Sequence, residues 1–189
     1  MNTSLPLRHR LAIVSTGGTI EKTYDEFGGV LANAIGERLS VLDVMLASLE
    51  LRDLEIERIP LMNKDSLEMT PEDHEAIAAT AEEALRSHEA VLVVHGTDRL
   101  AVSGEAILAR LSAHGELRGP VVLTGAMRPY ELRRTDAIQN LTEALLAARI
   151  LPPGVYCVMH NEVLPFPGVQ KDRAAMRFRR IVRTEEHSA

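Results

Sequence analysis

Four short segments of this chain gather small, hydroxyl-bearing and acidic residues of the kinds that sites for small polar ligands use. They are Thr16-Gly17-Gly18-Thr19-Ile20, Asn63-Lys64-Asp65-Ser66-Leu67-Glu68-Met69, His95-Gly96-Thr97-Asp98-Arg99 and Gly125-Ala126-Met127-Arg128-Pro129. In the first, Thr16 stands beside glycines that let a ligand approach backbone N–H groups. A hydroxyl with such donors nearby can attack a carbonyl and hold the oxyanion that forms. In the third, Thr97 adjoins the carboxylate of Asp98. Taken singly, each segment also has a plain structural reading: a tight turn at Gly17-Gly18, an Asx-type cap at Asp98, a helix cap at Ser66. The glycines match neither the G-x-G-x-x-G nor the G-K-[ST] spacing of phosphate-binding loops, which disfavours a dinucleotide-dependent oxidoreductase.

All four segments follow apolar runs, and that is what gives the combination weight. Leu11–Ser15, Ile56–Leu61, Ala90–Val94, Val121–Thr124 and Val155–Met159 read as strands. Most lack period-two alternation, as strands covered on both faces do, whereas Ile56–Leu61 alternates and belongs nearer an edge. Helical periods separate them, over Arg38–Leu49, Pro71–Ser87, Ser103–Ser112 and Asp136–Arg149. Thr70 and Pro71 supply an N-cap and a first helical residue, and Leu151-Pro152-Pro153-Gly154 stops the last helix. The tail predicts a small hairpin across Phe166–Gln170, closed by Met176–Val182. The pattern predicts one α/β domain over residues 1–189: a doubly wound, mostly parallel sheet with helices on both faces. In such sheets ligands bind beyond the carboxyl ends of the strands, so the four segments converge on one rim.

Bulk properties narrow the function classes. The 189 residues carry a formal net charge of −6, which argues against nucleic acid or an acidic membrane surface as partner. The single cysteine, Cys157, lies in an apolar run and reads as a buried, inert thiol. After the arginines of Met1–Arg10 the apolar run Leu11–Val14 is too short for a signal peptide, and no stretch approaches a membrane span. A cytoplasmic protein is expected.

In order and spacing, T-G-G-T-I, D-S-x-x-M-T, H-G-T-D and V-V-L-T-G-A-M-R-P resemble the L-asparaginase family, from about Leu11 to Gln170. The resemblance implies hydrolysis of the side-chain amide of asparagine, and often glutamine, without metal or cofactor. Thr16 matches the nucleophile that forms an acyl-enzyme, and Thr97 matches the second threonine, which positions or activates water. Asp98 matches the carboxylate that grips the substrate's α-ammonium, and Ser66 the serine that binds its α-carboxylate. Leu67 stands where relatives often have glutamine, so only its backbone can serve. Ala126 matches a residue whose backbone lies along the side-chain amide. Tyr24, in the glycine-bearing stretch Glu21–Leu31 that reads as a mobile lid, matches a tyrosine that helps deprotonate the nucleophile. The resemblance also implies a homodimer.

Three departures accompany the likeness. The resemblance leads one to expect a lysine near the end of the helix after the fourth segment, contacting the second threonine. That helix ends Ala147-Ala148-Arg149, and a guanidinium does not give up its proton. Only Lys22, Lys64 and Lys171 are present in the chain, and Lys171, in the terminal hairpin, is the candidate replacement. Arg99 replaces the usual threonine after H-G-T-D, and Arg133-Arg134 stands where relatives carry small residues; these read as solvated arginines or as selectors for a larger or more acidic substrate. The sequence ends where full-length relatives begin a C-terminal domain that sends a glutamate into the neighbouring site, though short single-domain forms also exist. Hydrolysis of another amide, or amino-acid binding by a catalytically degenerate domain, are the competing readings.

Overall fold

The computed structural model describes residues 9–33, 40–113, 115 and 117–181. Among these residues the strands run β1 (His9–Gly17), β2 (Lys22–Asp25), β3 (Val30–Asn33), β4 (Leu54–Lys64), β5 (Ala90–Val94), β6 (Pro120–Thr124), β7 (Gly154–Met159), β8 (Glu162–Pro165), β9 (Val169–Asp172) and β10 (Arg177–Arg180). Among the described residues, four α-helices accompany them: α1 (Val41–Ala47), α2 (Pro71–Ala84), α3 (Leu100–Ala113) and α4 (Ala137–Ile150). Six strands form the central sheet in the order β4-β1-β5-β6-β7-β8, parallel except for the antiparallel edge strand β8. The alternating β4 is the other edge, as its pattern predicts.

Burial explains why the central strands are apolar throughout. Every residue of β5 and of β6 is buried. Along β1 the side chains alternate between two cores. Ala12 and Val14 pack with Ile77, Ala81 and Ile107 of α2 and α3. Leu11 and Ile13 pack with Leu42, Met45 and Leu141 of α1 and α4 on the opposite face. The Thr70 side chain accepts a hydrogen bond from the Asp73 N–H, and the Asp73 carboxylate accepts one from the Thr70 N–H, closing a capping box before Pro71.

The connections define where the chain changes direction. From β1 it moves outward to β4 through α1, then returns across β1 to β5 through α2, and continues to β6 and β7 through α3 and α4. The switch point therefore falls between the carboxyl ends of β1 and β5, which carry Thr16 and His95-Gly96-Thr97-Asp98. The crossovers through α1, α2 and α3 share one hand. The crossover through α4 moves in the same direction as that through α3 but over the other face, so its hand is opposite, an uncommon arrangement.

The differences from the sequence reading lie in short elements. The expected helix Arg38–Leu49 is described only from Ser40, whose side chain caps α1 by accepting from the Leu42 N–H; residues 34–39 lie outside the described residues. The stretch expected to be a lid contains a hairpin, β2 against β3, which sequence patterning did not specify. The terminal hairpin pairs Val169–Asp172 with Arg177–Arg180, three residues later than expected on its first arm, and Val182 lies outside the described residues. Phe166 instead donates its N–H to the Val155 carbonyl (2.9 Å), extending the β7–β8 hairpin. That hairpin turns through His160 and Asn161, both at positive φ (54° and 62°), a tight turn without a glycine to announce it.

Candidate active site

The β1 strand stops pairing with β5 at Ser15, and its register with β4 breaks between Ser15 and Gly17. Thr16 sits in that interval, 0% exposed, with its hydroxyl donating to the Val94 carbonyl of β5 (3.1 Å). The glycines after it also bring protein segments together. Gly18, at φ 87°, lies so near the third segment that a Cβ would come 2.4 Å from the Gly96 Cα. A Cβ on Gly96 would in turn meet the Ser66 Oγ at 2.6 Å. The segments bearing Thr16, Ser66 and Thr97 are thus pressed into one cluster through two missing side chains.

Lys171 completes the cluster. It projects from β9, its side chain only 12% exposed, and its Nζ donates to Thr97 Oγ1 (2.7 Å) and Asp98 Oδ1 (3.1 Å). A cation thus reaches Thr97 from the terminal hairpin, on the side away from the end of α4. Arg149 takes no part: it is exposed at the carboxyl end of α4 and donates to the Arg52 carbonyl (3.3 Å). An ammonium on the lone pairs of Thr97 Oγ1 leaves the hydroxyl proton free to be given elsewhere and favours negative charge on that oxygen.

Two buried polar networks hold the segments in place, and sequence reasoning assigned neither a role. In the first, His95 donates Nδ1–H to the Gly96 carbonyl (2.7 Å), so its Nε2 is the acceptor for the Ser103 hydroxyl (2.8 Å). The Ser103 proton being committed, the His74 Nδ1 donates to Ser103 Oγ (2.7 Å). All three residues are buried between α2, α3 and the third segment, and their neutral, fixed tautomers orient the Gly96 peptide beside Thr97. The signal was present: His74 and Ser103 occupy apolar-face positions of their helices.

Burial, opposed by the Gly96 hydrogen bond, pushes the His95 pKa down to about 4. His74 is also lowered, by burial and then by the charge of Arg99. The unfolded chain takes up a proton at the ordinary value of 6.5, so between these values it binds more protons than the folded chain. The stability from neutral His95 is thus complete above pH 6.5 and lost as pH falls through 4, a difference of about 3 kcal/mol. Denaturant midpoints at roughly pH 7.5 and 4.5 are expected to fall more for the wild type than for His95→Asn. Equal falls would remove His95 from the acid response.

The second network belongs to Asp136, the N-cap residue of α4. Its carboxylate accepts from the N–H groups of Met127 and Arg128 (both 2.9 Å), from Asn140 Nδ2 (2.9 Å) and from His160 Nε2 (2.8 Å). Burial raises its pKa, but these hydrogen bonds outweigh burial and leave the carboxyl below its usual range. Asn140 also donates to the Gly125 carbonyl (2.9 Å), so α4 fixes both sides of buried Ala126.

The remaining candidates lie further out. Tyr24 is on β2 and is 55% exposed, and its hydroxyl has no hydrogen-bond partner among the described residues. The hairpin carrying it is tied down by Lys22 to Asp65 (2.9 Å) and by the Tyr24 N–H to Glu131 Oε2 (2.7 Å). Leu67 is exposed and its N–H is donated to Asp65 Oδ1 (3.1 Å), which leaves its carbonyl as the backbone group it can offer. Arg99, Arg133 and Arg134 are exposed. Cys157 is buried, and burial pushes its thiol pKa up, as an inert sulfur requires. Among the described residues, no group of three or more His, Cys, Asp or Glu could hold a metal ion, and no helix is long and apolar enough to cross a membrane.

Fold and site together define a doubly wound α/β domain whose hydroxyl- and carboxylate-bearing segments meet at the sheet's switch point. The chain belongs to the asparaginase family: residues 10–179 match the family's N-terminal domain, described as "Asparaginase, N-terminal". It is 34% identical over 157 residues to the L-asparaginase of Thermococcus kodakarensis, covering 82% of this chain and 45% of that protein. To L-asparaginase 1 of Escherichia coli K12 it is 33% identical over 153 residues, covering 80% and 44%. To a glutamyl-tRNA(Gln) amidotransferase component of Aeropyrum pernix it is 34% identical over 159 residues, covering 83% and 36%. The solved T. kodakarensis L-asparaginase superposes with a TM-score of 0.77 at 29% identity, over 91% of this chain and 51% of that one. A probable cytoplasmic L-asparaginase from Campylobacter jejuni gives 0.68 at 27% identity, over 86% and 49%. The chain spans about half the length, or less, of the curated relatives it matches.

Proposed function

We propose that this chain carries an amidohydrolase site that converts the side-chain amide of L-asparagine to L-aspartate and ammonia through a threonine nucleophile. The observation that supports this most directly is the Lys171 ammonium on Thr97 Oγ1 and Asp98 Oδ1, in a segment pressed against the one bearing Thr16. Thr16 Oγ1 leaves the Val94 carbonyl and attacks the amide carbon; the Tyr24 oxygen takes its proton while the Tyr24 O–H proton passes on toward the amide nitrogen, with the β2–β3 hairpin over the substrate. The tetrahedral oxyanion collapses, the C–N bond breaks, the nitrogen takes up a proton and ammonia leaves, with the substrate acyl group esterified to Thr16. Thr97, polarised by Lys171, holds the water that attacks the ester; the bond from the acyl carbon to Thr16 Oγ1 breaks, a proton of the water restores the Thr16 hydroxyl, and L-aspartate is freed. Ser66 binds the α-carboxylate, Asp98 faces the α-ammonium, and the backbone at Ala126 and Leu67 borders the substrate.

No step in this scheme calls for a metal or cofactor. The C. jejuni relative named as probably cytoplasmic supports a cytoplasmic setting for the reaction, and the family resemblance supports a homodimer. Glutamine is the second reading, because the relatives at 34% identity include an amidotransferase component named for glutamyl-tRNA(Gln). The test is ammonia release from L-asparagine, L-glutamine and a buffer blank. Release above blank from L-asparagine is expected; release from L-glutamine alone would shift the substrate. Release from neither, by folded protein, would overturn the hydrolase.

A further inference from the structure

The carboxylate assigned to the substrate's amine is already crowded with positive charge. Asp98 Oδ1 receives Lys171 Nζ at 3.1 Å and Arg173 Nη2 at 3.0 Å. Lys171 lies on β9 and Arg173 is the first residue of the turn after it, and both cations converge on the same carboxylate oxygen. The turn between them and β10 is held by Asp172, whose Oδ1 accepts from the N–H groups of Ala174 and Ala175 (both 3.1 Å). Those bonds fix where Arg173 leaves the backbone. Its side chain is nevertheless 69% exposed, in contrast to the shielded Lys171, so it is free to approach or leave.

Lys171, Arg173 and Asp98 together carry a net charge of +1. An incoming α-ammonium would raise this to +2 around one carboxylate. The other oxygen, Asp98 Oδ2, has no partner among the described residues, so there is room for an amine, but its hold is weakened by the guanidinium across the carboxylate. A substrate whose α-nitrogen is uncharged meets no such opposition. We propose that Arg173 is a specificity-determining residue that weakens the grip of Asp98 on a free α-ammonium and tilts the site toward amides whose α-nitrogen is acylated. This rests on the asparagine-type hydrolase reading above and names the substrate class that site takes.

The test compares wild type, Arg173→Ala and Arg173→Lys on L-asparagine and N-acetyl-L-asparagine. Arg173→Ala is expected to raise the ratio of kcat/KM for L-asparagine over N-acetyl-L-asparagine about fivefold, the size of an exposed ion-pair effect, while Arg173→Lys, which keeps the charge, stays near wild type. Raising salt should shrink the difference between wild type and Arg173→Ala. A purely structural arginine would change thermal unfolding and leave the ratio alone, and an unchanged ratio with turnover present overturns the inference while the hydrolase stands. Calorimetric binding of L-aspartate and N-acetyl-L-aspartate gives a second readout. Tighter L-aspartate binding by Arg173→Ala without any turnover would retain the inference and sink the hydrolase. Binding of neither compound by any variant would overturn both.

Discussion

Lys171→Met is expected to lower turnover of L-asparagine about 10³-fold with the fold intact. Methionine matches the length and stem of lysine, so packing around β9 survives and Asp98 keeps its ion pair with Arg173. What disappears is the ammonium at 2.7 Å from Thr97 Oγ1. That donor acts only as charge builds on the oxygen, and loss of one such donor typically costs 10² to 10³ in rate, about 3 to 4 kcal/mol of transition-state stabilisation. The loss should fall on kcat, because Lys171 acts on Thr97, which holds the attacking water, while removing its charge from Asp98 should not weaken that carboxylate's hold on the α-ammonium. Steady-state ammonia release by wild type and variant, matched by circular dichroism, checks it. Turnover within about threefold of wild type would mean that Lys171 merely tethers the hairpin to the third segment.

The destination of Lys171 shows where sequence reading stops. Its contact with Thr97 spans 74 positions and depends on how the terminal hairpin folds back over α3, which no local pattern encodes. The sheet was legible for the opposite reason: Ala90–Val94 and Pro120–Thr124 are buried at every residue, so both faces write themselves into the chain as continuous apolar runs. Helix boundaries could be read where a cap and a breaker coincide, as at Thr70-Pro71. They could not be read at Ser103–Ser112, which begins three residues earlier, at Leu100.

The candidate site divides in the same way. Hydroxyls and acids that follow strands were legible as a set, because the carboxyl ends of parallel strands share one rim. The roles of their neighbours were not. Asp136 reads as a helix start, yet its carboxylate reaches back to the Met127 and Arg128 N–H groups and fixes the fourth segment. Gly18 reads as part of an approach for ligand, yet the space a Cβ would take there is filled by the Gly96 backbone, and that at Gly96 by the Ser66 side chain. Hydrogen-bond partners and close approaches are properties of three-dimensional packing, and a residue's type only bounds what it can do there.

Thr16→Ala should remove the nucleophile itself, and turnover is expected to fall at least about 10⁴-fold, in line with nucleophile deletions in enzymes that pass through an acyl intermediate. Stability cannot account for a loss of this size. The hydroxyl makes one hydrogen bond, to the Val94 carbonyl, and its removal costs about 1 kcal/mol at a site where alanine fits the strand. Thr16→Ser keeps the hydroxyl and should keep measurable turnover. Hydroxylamine added during turnover should divert the acyl group of the wild type to the hydroxamate, and Thr16→Ala should form none. The informative alternative is a Thr16→Ala variant that retains a tenth or more of the activity while Thr97→Ala abolishes it. That result would transfer the attack to Thr97, whose Oγ1 already carries the Lys171 ammonium and therefore bears negative charge at less cost than Thr16, whose only described partner is a carbonyl. The two threonines are thus separable by one pair of variants, because the structure gives one an acceptor and the other a cation.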